Sequence, residues 1–288
     1  MRTAMRLGAG LCLGLGALLA QTPAPRAQIQ AVNPQIRHAS GQLVSPVFEG
    51  WFYAPDKSVS ALFGYFNRNA EQIVRVPVGP GNKVEPGAVD QGQPTVFFPG
   101  RQYGVFTVAQ PKGPSNVEMV WSLTVAGRTV AIPANVANQE FFIDPYQEMG
   151  GSFPGNKPPE LKLESAAPAL KGPSGGTVTR TAAVGTPLPL EVWVSDDGLP
   201  PPLGPVKPGG PPRRALTVTW SEFRGPSAVS FAQPSPTIEG GRAVTSATFK
   251  EPGDYVLRAM ASDGSGFSAQ CCWTNGYVRV TVGAGPGR

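Results

Sequence analysis

In TPLPLEVWVSDD, residues 186–197, Leu190, Val192 and Val194 alternate with Glu191, Trp193 and Ser195. Successive side chains of an extended strand point to opposite faces, so this pattern sets one face on a core and the other toward water. ALTVTWSE, residues 215–222, repeats it, with Leu216, Val218 and Trp220 opposing Thr217, Thr219 and Ser221. AVTSATF (243–249), DYVLRAMAS (254–262) and YVRVTV (277–282) supply further strands, and in the last Val278, Val280 and Val282 share a face. Five such strands in about a hundred residues describe an all-β domain whose strands are each half-buried.

The composition agrees. The 288 residues include 36 Gly and 33 Pro, which disfavour helix interiors and mark turns. Charged residues make up only 15%, while 41% apolar residues suffice for a core. The length suits two domains. Residues 43–146 form an aromatic-rich region whose short apolar runs (PVFEGWFYAP, SALFGYFNRN, PTVFFPG) are broken by Gly, Pro or Asn, as in an antiparallel β-sandwich. WSLTV and TVAIP flank Ala126, Gly127 and Arg128, which predicts a hairpin with Pro133 ending its second arm. QEMGGSFPGNKPPE, residues 147–160, reads as a Gly/Pro linker to a second sandwich over 161–283, with 284–288 as a flexible tail. The fold class expected is all-β, two sandwich domains. GLPPPLGPVKPGGPPRR, residues 198–214, holds seven prolines and four glycines and is expected to be a long exposed loop.

The beginning of the chain reads as an address. Arg2 and Arg6 precede an apolar run from Leu7 to Ala20, so residues 1–20 are expected to be a signal peptide and 21–42 a flexible mature N-terminus. Export to the periplasm or exterior follows. Removing Arg2 and Arg6 lowers the formal charge from +5 to +3. The remaining cations are scattered, densest at Arg213-Arg214, and form no stripe for nucleic acid. No later run is apolar enough to span a membrane as a helix.

LEVWVSDDGLP, LTVTWSEFRGPSAVSF, ATFKEPGDYVLRAMASDG and VRVTV, in that order, resemble bacterial PKD-type modules, which are immunoglobulin-like sandwiches. The resemblance covers nearly all of residues 161–283 and is interrupted by the proline loop and by SAQCCWTNG. It implies that Trp220 is a buried core anchor and that Tyr255, after EPGD, forms a tyrosine corner with nearby backbone. Val192 and Leu257 stand nearest the positions that hold the inter-sheet cysteines of antibody domains. FGYFNRN, VPVGPGNKVEPGAVDQGQPTVFFPGRQYGVFTV and GNKPPEL resemble segments of exported bacterial proteins of unassigned activity, which implies a secreted envelope protein.

Few residues offer chemistry. His38 is the only histidine and precedes the first strand, a poor place for a preorganised triad. GGSFPG lacks nucleophile-elbow spacing, and VGPGNK lacks the context of a phosphate loop. One histidine and two mature-chain cysteines do not make a zinc site. Calcium suits Asp196, Asp197 and Asp263 if the SDDG and SDG loops share one end of the sandwich; the plain alternative is Asp-Gly turns. Trp51 and Tyr53, within GWFY, and Trp193, on the polar face of its strand, are the aromatic candidates for a ligand surface, with burial at a domain interface as the alternative. Cys271 and Cys272 are adjacent, without redox spacing, and Asn275-Gly276 predicts a type I′ turn that places both on one arm of a hairpin. A vicinal disulfide, buried free thiols and links to another chain all remain open for them.

These features point to an exported, non-catalytic binding or structural protein of the bacterial envelope or exterior, with no cofactor beyond calcium and a glycan or an envelope protein as partner. An accessory carbohydrate-binding module working with an enzyme, and a hydrolase with an unrecognised carboxylate pair, are the alternatives.

Overall fold

The computed structural model describes residues 38–110, 118–148, 153–199, 215–265 and 271–285. The signal-peptide reading and the cluster Arg213-Arg214 lie outside these residues, as does nearly all of the proline loop.

Eight strands come from the first half: β1 (Val44–Tyr53), β2 (Val59–Asn67), β3 (Val74–Arg75), β4 (Asn82–Glu85), β5 (Val96–Phe97), β6 (Gly100–Ala109), β7 (Met119–Val125) and β8 (Arg128–Ala134). Nine follow: β9 (Glu160–Lys162), β10 (Thr177–Ala183), β11 (Leu188–Ser195), β12 (Thr217–Arg224), β13 (Val229–Phe231), β14 (Ile238–Glu239), β15 (Arg242–Phe249), β16 (Gly253–Ser262) and β17 (Trp273–Gly283). No α-helix occurs among the described residues, and none of their helices is long and apolar enough to cross a membrane.

The first sandwich packs the antiparallel sheet β1-β2-β6 on the sheet β4-β7-β8, with the ribbon β3-β5 closing one side. Its core is aromatic. Trp121 is fully buried and meets Phe63 and Phe106 edge-on, with ring centroids 5.7 and 4.9 Å away. The expected hairpin joins β7 to β8: Val125 pairs with Arg128, and Ala126 and Gly127 both take positive φ (50° and 74°). The second arm runs one residue past its expected end, because Pro133 lies on an edge strand that tolerates a missing N–H.

Buried amides hold the irregular connections of this half. Asn82, wholly buried, donates to the carbonyls of Val76 and Pro94 and accepts from Trp121 Nε1. Asn67 donates to the carbonyls of Gln72 and Phe97, and Gln93 to those of Asn82 and Val89. These amides give main-chain carbonyls of the connections a side-chain partner, and the Asn82 carbonyl also accepts from Gly79 N.

The second sandwich sets β10-β17-β16-β12 against β13-β15-β11-β9, with β14 also on β15. β10 runs parallel to β17, and the other pairings are antiparallel. This strand order is immunoglobulin-like: the first strand is split between the two sheets, and its second part joins the last strand. The alternation read from the sequence places Leu190, Val192, Val194, Val218, Trp220, Val278, Val280 and Val282 in one core. Val192 and Leu257 are wholly buried, so packing alone joins the sheets at those positions. Tyr255 Oη donates to the Glu251 carbonyl at 2.9 Å, four residues upstream, which is a tyrosine corner.

The turn expected at Asn275-Gly276 is not there. β17 runs straight through it, pairing Asn275 with Met260 and Gly276 with Ala259. Tertiary contacts override the local preference: the buried Asn275 side chain accepts from Arg258 Nε and donates to the carbonyls of Gly104 and Pro173. A Cβ on Gly276 would sit 2.8 Å from Leu163 Cδ2, so this glycine serves close packing.

The two sandwiches belong to one compact unit and share an interface. Phe223 of β12 enters the aromatic core of the first sandwich, and its carbonyl accepts from Thr95 N. Arg75 grips Glu222 through two bonds of 2.6 and 2.8 Å, and Arg224 grips Asp90 through two of 2.8 Å. Trp273 packs on Phe52, Leu62 and Ile143.

Candidate partner-binding surface

β1 is the edge strand of its sheet, and a strap of residues 138–143 covers that edge. The Trp51 carbonyl accepts from Ile143 N, Trp51 Nε1 donates to the Asn138 carbonyl, and Trp51 and Phe142 form a parallel bridge. A bulge between Phe48 and Gly50 makes room for the strap. At Gly50 (φ 136°) a Cβ would meet Ile143 Cγ2 at 2.7 Å and the Phe141 carbonyl oxygen at 2.8 Å, so only glycine lets the two segments approach this closely.

The strap sorts the aromatic residues. Trp51, a candidate ligand contact from sequence with burial as the other reading, is only 2% exposed and belongs to the core of the first sandwich, so it is no part of a ligand surface. Its neighbour Phe52 is buried on the opposite face, under Trp273 and Ile143. Both faces of this end of β1 are covered, so adjacent aromatics can both be interior. Tyr53 is 51% exposed. Phe141 and Phe142, at 45% and 37%, complete the patch, and sequence reading did not find them. Phe142 meets Trp51 at 5.1 Å and Tyr53 at 6.1 Å, and Phe141 meets Phe48 at 5.6 Å. The one signal available was the pair FF after a polar segment, a poor core pattern.

Trp193 lies elsewhere, on the outer face of β11 between its register partners Lys162 and Arg242, and is half-buried. Trp220 is 2% exposed. His38 is exposed.

The acidic loops do converge at one end of the second sandwich. Asp196 titrates upward, at about 6, chiefly because it is partly buried, and the nearby charges of Asp197 and Asp263 add to the shift. Hydrogen bonds occupy most of the carboxylate oxygens. Asp263 accepts from Ser265 and from Asn156 Nδ2; Asp197 accepts from Lys157 N and Leu199 N; Asp196 Oδ2 accepts from Gly198 N. Asp196 Oδ1 is buried with no hydrogen-bond partner among the described residues. Among the described residues no group of three or more His, Cys, Asp or Glu is arranged to hold a metal ion.

The expected linker supplies part of this seam. Asn156 is wholly buried, and the Pro159 carbonyl accepts from Thr274 Oγ1, so the described residues 153–160 are packed against the second sandwich. Cys271 and Cys272 are joined to each other by a disulfide just before β17. Both are buried, and Cys272 Sγ lies 3.5 Å from the Asn156 carbonyl oxygen.

The class of molecule is a pair of β-sandwiches, the second immunoglobulin-like. No family model and no curated protein matches the chain. Among solved structures, the D0-D1 domains of intimin are similar at 15% identity, covering 83% of this chain and 100% of that one, with a TM-score of 0.24. Domains 4 and 5 of the S-layer protein SbsC are similar at 11% identity, covering 84% and 98%, with a TM-score of 0.21. A titin Z1Z2 chimera is similar at 11% identity, covering 84% and 99%, with a TM-score of 0.23. Similarity this low carries no weight, and the immunoglobulin-like assignment rests on strand order, register and the tyrosine corner.

Proposed function

We propose that this is an exported, non-catalytic binding or structural protein of the bacterial envelope or exterior, and that it engages its partner through Tyr53, Phe141 and Phe142. One observation carries the reading: three exposed aromatic residues, Tyr53 at the end of β1 and Phe141 and Phe142 on the strap that covers its edge, stand over a buried aromatic backing of Trp51. Clustered aromatics of this kind anchor partners because they bury much area at little entropic cost. The Tyr53 and Phe142 rings are inclined at 52°, which gives no flat platform for a sugar and favours a protein over a glycan.

A pull-down from the native cell envelope with the purified mature protein tests this. The expected result is capture of an envelope protein that the double variant Tyr53→Ala/Phe142→Ala loses while its melting temperature stays within a few degrees of wild type. Capture unaffected by the double variant contradicts the reading. Binding to purified polysaccharide, lost in the same variant, would favour the carbohydrate-binding alternative.

Calcium belongs to the proposal in a restricted form. A cation would enter at Asp196 Oδ1 and would have to displace turn hydrogen bonds from Asp197 and Asp263. A melting temperature that rises with calcium and falls with chelator supports it, and one that does not move removes it.

A further inference from the structure

A groove of about 520 Å³ opens between the two sandwiches. Its size is that of a small-molecule site. The outer face of β12 and β16 forms one wall, with Phe231 and Met260, while Ile73, Phe98 and Tyr103 come from the first sandwich. Ile73 and Tyr103 stand exposed at the rim, both at 43%.

The charges in this groove do not balance. Three arginines line it: Arg75, Arg101 and Arg258. Arg75 is matched by Glu222, and Arg101 by Glu49. Arg258 is only 7% exposed, and no carboxylate of the described residues lies within ion-pair distance of it. Its Nε donates to Asn275 Oδ1 and its Nη2 to the Gly104 carbonyl. Nη1 has no hydrogen-bond partner among the described residues. The carboxylate whose field reaches Arg258 is Glu49, already held by Arg101 and by Gly104 N at 2.7 Å. A guanidinium does not give up its proton, so the surplus is a standing positive charge that a bound anion would neutralise.

We propose that this groove binds a carboxylate carried on an apolar body, with Arg258 Nη1 as the charge partner and the Ile73, Phe98 and Phe231 side chains as the apolar bed. This goes beyond the aromatic patch and uses none of its residues. The carboxylate could belong to a free organic acid or to the C-terminus of a peptide, and the chemistry recognised is the same.

Calorimetry on the full mature chain tests it with four probes: 3-phenylpropionate, its neutral amide, N-acetyl-Gly-Phe with a free carboxylate, and the amide of that peptide. The expected result is that each acid binds at least roughly tenfold tighter than its amide, and that added salt weakens the acids only. Arg258→Gln should abolish the preference and Arg258→Lys should keep part of it. If Arg258→Gln does not fold, Ile73→Ser at the exposed rim should weaken both acids while leaving the acid-over-amide preference in place. A tighter peptide acid assigns the site to peptide termini, and a tighter small acid to free organic acids. Acids and amides that bind equally, or no binding by any probe, overturn the proposal. The Tyr53→Ala/Phe142→Ala variant should leave all four affinities unchanged, which separates this test from that of the aromatic patch.

Discussion

The two sandwiches reach the same architecture by different means. The second is built on regular alternation: long strands, an aliphatic core around Trp220, and a tyrosine corner closing one end. The first is built around an aromatic core, with register shifts on both sides of β2, and buried Asn67, Asn82 and Gln93 hold its loops. A regular sandwich satisfies its main chain through strand pairing. An irregular one must recruit side-chain amides to do so, and its stability then depends on polar residues as much as on apolar ones.

The largest effects should come from the two core tryptophans. Trp121→Ala and Trp220→Ala should each cost about 3–5 kcal/mol in chemical denaturation. Because Phe223 and the Thr95–Phe223 backbone bond tie the cores together, both variants should lower one common transition. Two separate transitions, each sensitive to one tryptophan, would break the coupling.

Asn82→Leu sharpens the contrast next. It keeps the branched shape of the side chain but strands two carbonyls and the Trp121 N–H, and should cost about 2–4 kcal/mol. Among the described residues the buried Thr245 hydroxyl of the second sandwich bonds to the Gln233 main chain alone, and Thr245→Val should cost about 1 kcal/mol. Equal losses would show that the amides of the first sandwich have no special part.

At the interface, Glu222→Gln removes half of an ion pair. The Glu222 side chain is 4% exposed but that of Arg75 is 31%, so Arg75 regains water and the cost should be about 1–2 kcal/mol. The loss should appear in the common transition as well.

The smallest effects are in pH dependence, and they have opposite signs. The hydrogen-bonded Arg224 guanidinium holds Asp90 down at about 2, so its contribution is present above pH about 4 and is lost as pH falls toward 2. Solvent screens this pair, since Asp90 is largely exposed. Burial, with Asp197 and Asp263 nearby, pushes Asp196 up to about 6, so its contribution is present below pH about 4 and is lost as pH rises through 6. Asp196→Asn should therefore flatten the melting temperature between pH 4 and 6, and Arg224→Gln should flatten it below pH 4. Chelator in both samples keeps calcium out of the comparison.

The second sandwich was legible in the sequence because period-2 alternation is a direct consequence of strand geometry, and Trp220 and the valines of β17 follow it without exception. Three features were not. Asn275-Gly276 has strong turn chemistry, yet Arg258 and Gly104, both distant in sequence, hold Asn275 extended. The segment 147–160 has a linker's composition, but Asn156 is buried by hydrogen bonding to a loop more than a hundred residues away. Trp51 and Phe52 are both interior because a strap and the second sandwich cover the two faces of β1, and no local pattern encodes that. Phe141 and Phe142 emerge from the same strap. In each case the deciding contact is long-range.

The most direct test of partner binding by the exposed rings is hydrogen exchange of the protein alone and with whatever protein the pull-down captures. Slowed exchange should appear at the strap, residues 138–143, and at the end of β1, with the outer face of β11 around Trp193 unchanged. Protection confined to β11 and β15, with the strap exchanging at its free rate, would contradict the assignment.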